Sequence, residues 1–525
     1  MPPFKTIGSL TEICTERVWR WLYHCLNYQA TPRDRMRQRA YILATLNSNI
    51  RQQLLNCILR IHTQEVMLSS KCMLLELLGD RSTQWVDVSR SGYSYVDEVF
   101  HFYRTLTLSL LINLTRLGVI CNVKSKIDSK YLLEINSTFY RVLNQMRHLQ
   151  WVTLGGVADQ TILATLGANC HQLEHLNVCG SIRVNDQALA ALLLKDPLAV
   201  EGRSMKQVID KNIATNPCCA TLTFVCVSET EVTLIGAVLL LRCVPNLTSL
   251  GGAVEDGSLS SVIHMLQPEE GVASYKLNHL WDDRISPDQA SLLNVACPEL
   301  TSVTTTVYSL PSLHLLYPIT SLTVDLYFRG GSTSIYNYLQ LRGANLKELV
   351  LSNNISCPLD LGWLMELTPN LERVESSLYL EEGYEILGWK NVQVASVRVN
   401  SSKTLIALLS HIPRVKDLSI IFEPEPYTET YECINDDLVI NACISGGLTH
   451  LETLSIAECA VSLQGLNCLL LHCPELSYVA PLLFWTNITQ DDIRHLQSQA
   501  AHSNWRLKLV LREHSSGNIT CSMLI

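Results

Sequence analysis

A short apolar segment that recurs along the chain constrains its fold more than any other feature. In one clear copy, Leu173, Leu176 and Val178 occupy positions i, i+3 and i+5. The last two alternate as in a short β-strand, with the intervening side chain on the opposite face. An amphipathic stretch from Val184 to Leu194 follows. A strand and helix this short cannot enclose a core alone, so the copies must stack on one another, as in a solenoid.

The copies recur at steps of roughly 20 to 30 residues, which is the period of leucine-rich repeats. Other clear copies begin at Leu149, Leu222, Ile319, Leu346, Val394, Val415 and Leu451. Some copies carry a lead-in such as Cys297-Pro298-Glu299-Leu300, which resembles the cysteine-containing subfamily of these repeats. We therefore predict an α/β leucine-rich-repeat solenoid, or horseshoe, with an all-α N-terminal module; a generic Leu-rich α/β protein is the alternative.

The apolar pattern divides the chain into three parts. Residues 1–80 predict a helical module with helices at about 10–27, 33–46, 50–61 and 70–78, followed by a first strand at 85–88. This module would cap the end repeat. Residues 81–512 carry the repeats, and 513–525 form a frayed tail. The long step from Leu173 to Leu222 predicts a degenerate extra repeat near 198–211, and the acidic, proline-containing stretch 423–432 predicts an exposed loop.

Charge and cysteine usage narrow the classes of partner and compartment. Residues 1–62 contain nine Lys or Arg against three Asp or Glu, whereas the whole chain has a net charge of −9. An acidic body argues against nucleic acid as a partner. The 19 cysteines form no Cys-x-x-Cys pair, so we expect no metal site or disulfide framework, and Cys170, Cys297 and Cys473 should be buried. We expect a reducing cytoplasmic or nuclear location and no membrane contact, since the apolar stretch 106–123 is interrupted by polar residues.

Motifs for catalysis are absent from the sequence. There is no Gly-rich phosphate loop, Gly-x-Ser-x-Gly elbow or His-Glu-x-x-His. His171 and His175 are spaced by four, but nothing near them supplies a third ligand, and a solvated pair is the better interpretation. We predict a protein that is not an enzyme and needs no cofactor.

A candidate partner-binding motif lies on the first predicted helix. Ser9 and Glu12 form a capping-box pattern at the start of the first predicted helix. Leu10, Cys14 and Val18 then recur every four residues, which places them on one helical face that could enter a groove on a partner. Burial of the same three side chains against the neighbouring helices is an equally good interpretation of this spacing.

The stretch 9–18 matches the elongin-binding box, Ala/Pro/Ser/Thr-Leu-x-x-x-Cys-x-x-x-apolar. Such a box, a second helical segment and leucine-rich repeats together resemble the substrate receptors of elongin-BC/cullin-RING ubiquitin ligases. The resemblance implies that Leu10, Cys14 and Val18 contact elongin C of elongin B/C. It also implies a cullin box at 46–55, with contacts from Leu46, Ile50, Leu54 and Leu55, although Asn47 stands where the cullin-2 pattern has proline.

Two other interpretations remain open. F-box proteins also place a helical module before cysteine-containing repeats, but their Leu-Pro-x-Glu opening is absent here. A plain leucine-rich-repeat scaffold would use the N-terminal helices only to cap the core.

Residues that alternate with the apolar strand positions should point to the concave face of the horseshoe. Such a face is an extended protein-binding surface in repeat proteins, and we expect it to select an unknown protein substrate. The residues predicted to face the substrate are His175, Asn177, Glu348, Val350, Ser396, Arg398, Asp417 and Ser419.

Overall fold

The computed structural model describes most of the chain. The described residues are 17–23 without 20, 32–60, 67–89, 96–108, 111–121, 136–200 without 138, 214–251, 259–270, 274–326 without 318, 332–352, 358–381, 386–423, and 434–509 without 445 and 504. They form two compact units, the first reaching residue 281 and including 295–299, the second covering 282–294 and 300–509. The units divide within the repeats, and the N-terminal helices belong to the first unit.

The first unit opens with helices and continues as alternating strands and helices. Its helices are α1 (Pro32–Thr45), α2 (Ser48–Arg60), α3 (Leu68–Leu78), α4 (Val96–Leu108), α5 (Gln160–Asn169), α6 (Asp186–Leu193), α7 (Leu234–Cys243) and α8 (Leu259–Glu270). Its strands are β1 (Trp85–Asp87), β2 (Arg116–Ile120), β3 (Trp151–Gly155), β4 (His175–Asn177), β5 (Phe224–Cys226), β6 (Ser249–Gly251) and β7 (His279–Asp282). Each strand pairs in parallel with the next, from β1 to β7.

The second unit continues the same alternation. Its helices are α9 (Pro287–Ala296), α10 (Leu310–Leu313), α11 (Ser332–Arg342), α12 (Leu361–Leu367), α13 (Ser402–Ser410), α14 (Asp436–Ile444), α15 (Leu463–His472) and α16 (Gln490–His502). Its strands are β8 (Ser302–Thr306), β9 (Ser321–Asp325), β10 (Glu348–Ser352), β11 (Leu359–Asp360), β12 (Arg373–Tyr379), β13 (Val394–Val399), β14 (Asp417–Phe422), β15 (Thr453–Ile456), β16 (Cys459–Ser462), β17 (Tyr478–Ala480), β18 (Trp485–Asn487) and β19 (Lys508–Leu509).

The strands of the second unit are also parallel. The sheet runs β8, β9, β10, β12, β13, β14, β15, β17 and β19. Strand β11 pairs with the end of β12, and β16 pairs with β18 in a separate two-stranded sheet. Both units are therefore α/β leucine-rich-repeat solenoids, which confirms the predicted fold class.

The predicted apolar triplets form the core of both units. Leu173, Leu176 and Val178 are completely buried, and the equivalent residues of the other clear copies are buried too, except Val394, which is half-buried. The copy predicted to begin at Val394 is shifted by two residues, since Ala395 pairs with Leu418 and the buried triplet is Val392, Ala395 and Val397. The repeat cysteines Cys170 and Cys473 are equally buried. The Cys170 thiol lies 3.3 Å from the Met146 carbonyl oxygen, to which it donates a hydrogen bond, and burial raises its pKa to about 12. The prediction that these cysteines are small buried core residues is confirmed.

The predicted extra repeat near 198–211 is wrong. Strand β4 pairs directly with β5, His175 opposite Phe224, so no strand lies between them. The Lys195 amide donates to the Ala214 carbonyl oxygen and the Asn216 amide to that of Leu193, at 3.0 and 2.7 Å. The long step is therefore an insertion whose two ends are hydrogen-bonded together next to α6.

An aspartate on one helix joins it to the start of the next helix in both units. In the first unit the Asp186 carboxylate accepts from the Thr233 amide and hydroxyl at 2.8 and 2.5 Å, and from the Gly236 amide at 2.9 Å. Thr233 is the N-cap of α7. In the second unit Asp436 accepts from the amide and hydroxyl of Ser462, the N-cap of α15, at 2.8 and 2.5 Å.

Replacing Asp186 by alanine should lower the free energy of unfolding by about 2–4 kcal/mol. The change removes three charge-assisted hydrogen bonds, among them the one that satisfies the Gly236 amide in the first turn of α7. Denaturant unfolding followed by circular dichroism measures the effect. Asp196→Ala is the control, because Asp196 is exposed and, among the described residues, accepts from the Leu198 amide alone. Equal unfolding midpoints for the two variants would contradict this role for Asp186.

Candidate protein-binding surfaces

The N-terminal helices close the open edge of strand β1. The Gln52 side-chain oxygen on α2 accepts from the Gln84 and Trp85 amides at 2.9 and 3.3 Å, and its nitrogen donates to the Trp85 carbonyl at 3.0 Å. One side chain thus satisfies backbone groups that an edge strand would otherwise expose. On the same helix, the buried Arg51 guanidinium forms an ion pair with Asp80. These contacts fix helix α2 on the first strand of the repeats.

Helix α1 leaves one face uncovered. Met36 and Tyr41 are 74% and 70% exposed, and the neighbouring Arg33, Arg37, Ala40 and Ala44 are exposed too. Spacings of three and four residues place these side chains on one stripe. Met36 and Tyr41 were missed, because the pattern of a single sequence does not show which apolar residues stay outside a core.

The predicted elongin-binding residues are only partly within the described chain. Leu10 and Cys14 lie outside the described residues, whereas Val18 lies in a helical stretch and is half-buried. One turn later, Trp21 is 64% exposed and Leu22 is buried. The start of the chain therefore has both an inward and an outward side at residues 17–23.

The predicted cullin-binding residues are divided by burial. Ile50, in the first turn of α2, is exposed. Leu46, two residues before α2, is half-buried. Leu54 and Leu55 are completely buried, because α2 packs this side against α3 and β1. A cullin contact through Leu54 or Leu55 would require the module to open, so only Leu46 and Ile50 of the four predicted contacts offer surface to a partner.

The face of the second unit's sheet that points away from its core, here called the outer sheet face, carries several of the residues predicted to face the substrate. Val350, Ser396 and Ser419 lie in one row across β10, β12, β13 and β14, with Glu375 between Val350 and Ser396. Glu348 and Asp417 are exposed, and Ser396, Arg398 and Ser419 are half-buried. Val350 is buried, so it offers little surface to a substrate.

Two charged residues add to this face. Glu375 is half-buried, and burial raises the pKa of its carboxyl while the nearby Arg373 partly offsets that effect. Arg398 forms an ion pair with Glu423. The face therefore offers mixed charges and hydroxyl groups rather than an apolar patch.

The predicted substrate contact His175 is not an exposed residue, and its interpretation as part of a solvated pair is wrong. Its ring is stacked between Trp151 and Phe224, with ring centroids 3.8 and 4.1 Å away, and the residue is 7% exposed. Burial, and then the nearby Arg116, lower the pKa of His175 to about 3. The neighbouring predicted contact, Asn177, is half-buried, and its oxygen accepts from the Cys179 amide.

The stacked His175 should make the protein less stable in acid. Its pKa is about 3 when folded, against about 6.5 when unfolded. As the pH falls below about 6.5 the unfolded chain therefore binds a proton that the folded chain excludes. At pH 5 the loss, relative to pH 7.5, is about 2 kcal/mol.

His175→Phe, which retains a planar ring in the stack, should remove that part of the pH dependence. Urea unfolding at pH 7.5 and pH 5 measures it, with His171→Gln as a control at an exposed histidine. If His175→Phe lost as much stability between the two pH values as the wild type, the buried histidine would not be the cause.

Within the parts of the chain that the structure describes, no three His, Cys, Asp or Glu side chains are grouped so as to hold a metal ion. None of the helices in those parts is long and apolar enough to cross a membrane.

No protein-family model and no curated protein matches this chain. Among solved structures, the Rad7–Elc1 complex from yeast is 13% identical over 90% of this chain and 87% of that chain, with a TM-score of 0.33. The TLR13–ssRNA13 complex is 10% identical over 78% and 62%, with a TM-score of 0.34. LegL7 from Legionella pneumophila is 11% identical over 80% and 88%, with a TM-score of 0.19. Because these scores are below 0.5, the fold assignment rests on the chain's own repeats.

Proposed function

We propose that this protein is a substrate-recognition subunit of a cullin-RING E3 ubiquitin ligase. The helix predicted at about 10–27 docks on elongin C through Leu10, Cys14 and Val18. The sheet faces that point away from the core bind a protein substrate. The transfer of ubiquitin belongs to the partner subunits, so this chain needs only to hold the substrate in place. The observation that supports the proposal is the match of residues 9–18 to the elongin-binding box, followed by helices and then by the repeats.

The surface of the helical module supports this proposal. A receptor needs exposed apolar side chains near the box, and α1 presents Met36 and Tyr41 while α2 presents Ile50. Large apolar side chains left in water are more typical of a docking surface than of a helix that serves only as a cap. In this proposal Met36, Tyr41 and Ile50 contact the adaptor or the cullin.

Co-expression with elongin B/C tests the proposal. The tagged full-length protein should retain stoichiometric elongin B/C through affinity and size-exclusion chromatography. Met36→Ser/Tyr41→Ser should weaken retention of a cullin in the same assay but leave elongin B/C bound. Failure of the wild type to retain elongin B/C would contradict the ligase assignment.

A leucine-rich-repeat scaffold is the second candidate function. The buried Leu22 favours it, since this residue shows that part of the first helical stretch packs inside the protein. Under this alternative, changes at Leu10 and Cys14 would lower the stability of the fold rather than the affinity for a partner.

A further inference from the structure

The outer sheet face of the second unit has a low central row that is open to solvent. Most of the row consists of serine and threonine, and all its members except the buried Val350 are half-buried. Because these side chains are short, an extended chain can lie directly on the sheet. From β8 to β15 the row is Thr304, Thr323, Val350, Glu375, Ser396, Ser419 and Ser455.

A single carboxylate stands in the middle of this row. Glu375 lies between Val350 on β10 and Ser396 on β13, and it has no hydrogen-bond or ion-pair partner among the described residues. Arg373, two residues earlier on the same strand, only partly offsets the effect of burial on the Glu375 carboxyl and forms no ion pair with it. A half-buried charge without a partner is unfavourable, so a cation placed on Glu375 would stabilise it.

The other charges on this face are mostly negative. Glu348 accepts from the Ser321 hydroxyl at 2.9 Å. Asp417 is exposed and, within the described chain, has no hydrogen-bond or ion-pair partner. Of the two arginines on the face, Arg398 is already paired with Glu423. The outward charged residues of β9 to β14 are Asp325, Glu348, Glu375 and Asp417, against Arg373 and Arg398.

The second unit as a whole favours a positively charged partner. Its sequence, residues 282–294 and 300–509, contains 24 Asp or Glu against 13 Lys or Arg, an excess of 11 negative charges. The whole chain has a net charge of −9, so the negative charge is concentrated in this unit. Such a field attracts a basic partner and repels an acidic one.

The spacing of the carboxylates matches an extended segment. Neighbouring strands lie about 4.8 Å apart, so Glu348 on β10 and Asp417 on β14 are separated by three strand spacings, or about 14 Å. In an extended chain laid across the strands, residues i and i+4 are about 13 Å apart and point to the same side. Basic residues at alternate positions therefore reach Glu348, Glu375 and Asp417 together.

We propose that the outer sheet face of the second unit binds an extended basic segment of a partner protein, with an arginine guanidinium on the Glu375 carboxylate. A guanidinium donates two parallel hydrogen bonds to a carboxylate, and it is more weakly hydrated than an ammonium group, which suits a half-buried site. As a substrate class the segment rests on the receptor function proposed above, but the binding itself does not depend on elongin C.

Fluorescence anisotropy with the full-length protein tests the proposal. The probes are fluorescein-labelled Gly/Ser dodecapeptides with arginine, lysine or glutamine at four alternate positions. We expect the Arg peptide to bind the wild type at least about tenfold more tightly than the Gln peptide and about threefold more tightly than the Lys peptide.

Glu375→Gln keeps the shape of the side chain and should weaken the Arg peptide by about tenfold, the loss of one charge-assisted pair. Its unfolding midpoint should not fall, because the change removes a charge that has no partner in the free protein. Asp417→Asn, at an exposed position, should weaken the Arg peptide by about threefold and provides a second variant. Glu366→Gln, at an exposed glutamate on helix α12 of the same unit, should bind as the wild type does.

Equal affinity for the Arg and Gln peptides, no binding to the wild type, or binding that neither Glu375→Gln nor Asp417→Asn weakens would each overturn the proposal. Tighter binding of the Lys peptide would overturn the guanidinium assignment. A protein that is dimeric on size-exclusion chromatography until the Arg peptide is added would assign this face to a second copy of the chain and so overturn the proposal. Elongin B/C retention by Glu375→Gln should match the wild type, which separates this proposal from the ligase assignment.

Discussion

Replacing Leu10 by serine and Cys14 by phenylalanine is expected to weaken elongin C binding by about 100-fold or more. The leucine contributes about 2–3 kcal/mol when it enters an apolar pocket, and each 1.4 kcal/mol is a factor of ten in affinity. Phenylalanine at position 14 should add a further penalty, because the proposed contact places a small side chain where the helix and elongin C come close together. Isothermal titration calorimetry of the purified protein with elongin B/C measures the loss.

Glu16→Gln is the matched control for that experiment. By helical spacing position 16 lies on the opposite side from position 14, so this variant should bind elongin B/C normally. Thermal unfolding of each variant distinguishes the two functions. An unchanged unfolding midpoint with lost binding supports the receptor; a lowered midpoint with binding retained would show that the two side chains serve the protein's own core.

Replacing Gly167 or Gly447 by alanine is expected to destabilise its unit by about 2–4 kcal/mol. A Cβ at position 167 would lie 2.1 Å from the Leu192 carbonyl oxygen, and one at position 447 would lie 2.0 Å from that of Leu409. Both oxygens belong to the backbone of a neighbouring repeat, so relief requires two repeats to move apart. Overpacking of this kind costs about 1–3 kcal/mol or more.

The exposed Ala168, next to Gly167, provides the control through Ala168→Ser. Denaturant unfolding should show a large loss of stability for Gly167→Ala and Gly447→Ala and almost none for Ala168→Ser. If Gly167→Ala unfolded at the wild-type midpoint, the close packing of α5 against α6 would not depend on the absence of a Cβ at position 167.

The repeats and helices could be predicted because their signals are local. The strand predicted at 85–88 is β1 at Trp85–Asp87, and the helices predicted at 33–46 and 50–61 begin and end within two residues of α1 and α2. The spacing of apolar residues identifies these elements, since each element must bury one side. The extra repeat near 198–211 was predicted from length alone, and chain length does not distinguish a repeat from an insertion.

The candidate surfaces were harder to predict. Trp151, His175 and Phe224 each stand just before the second apolar position of a triplet, so aligning the triplets would have placed them in one row. The stacking that buries His175 depends on strands far apart in sequence, and it is not visible in any single copy. Likewise, the exposure of Met36 and the burial of Leu54 follow from how α1, α2 and α3 pack, which depends on tertiary contacts.

Hydrogen–deuterium exchange of residues 9–23, with and without elongin B/C, tests the receptor assignment most directly. The amides of this stretch should exchange faster in the free protein and become strongly protected when elongin B/C is added. Strong protection in the free protein that elongin B/C does not change would contradict that assignment.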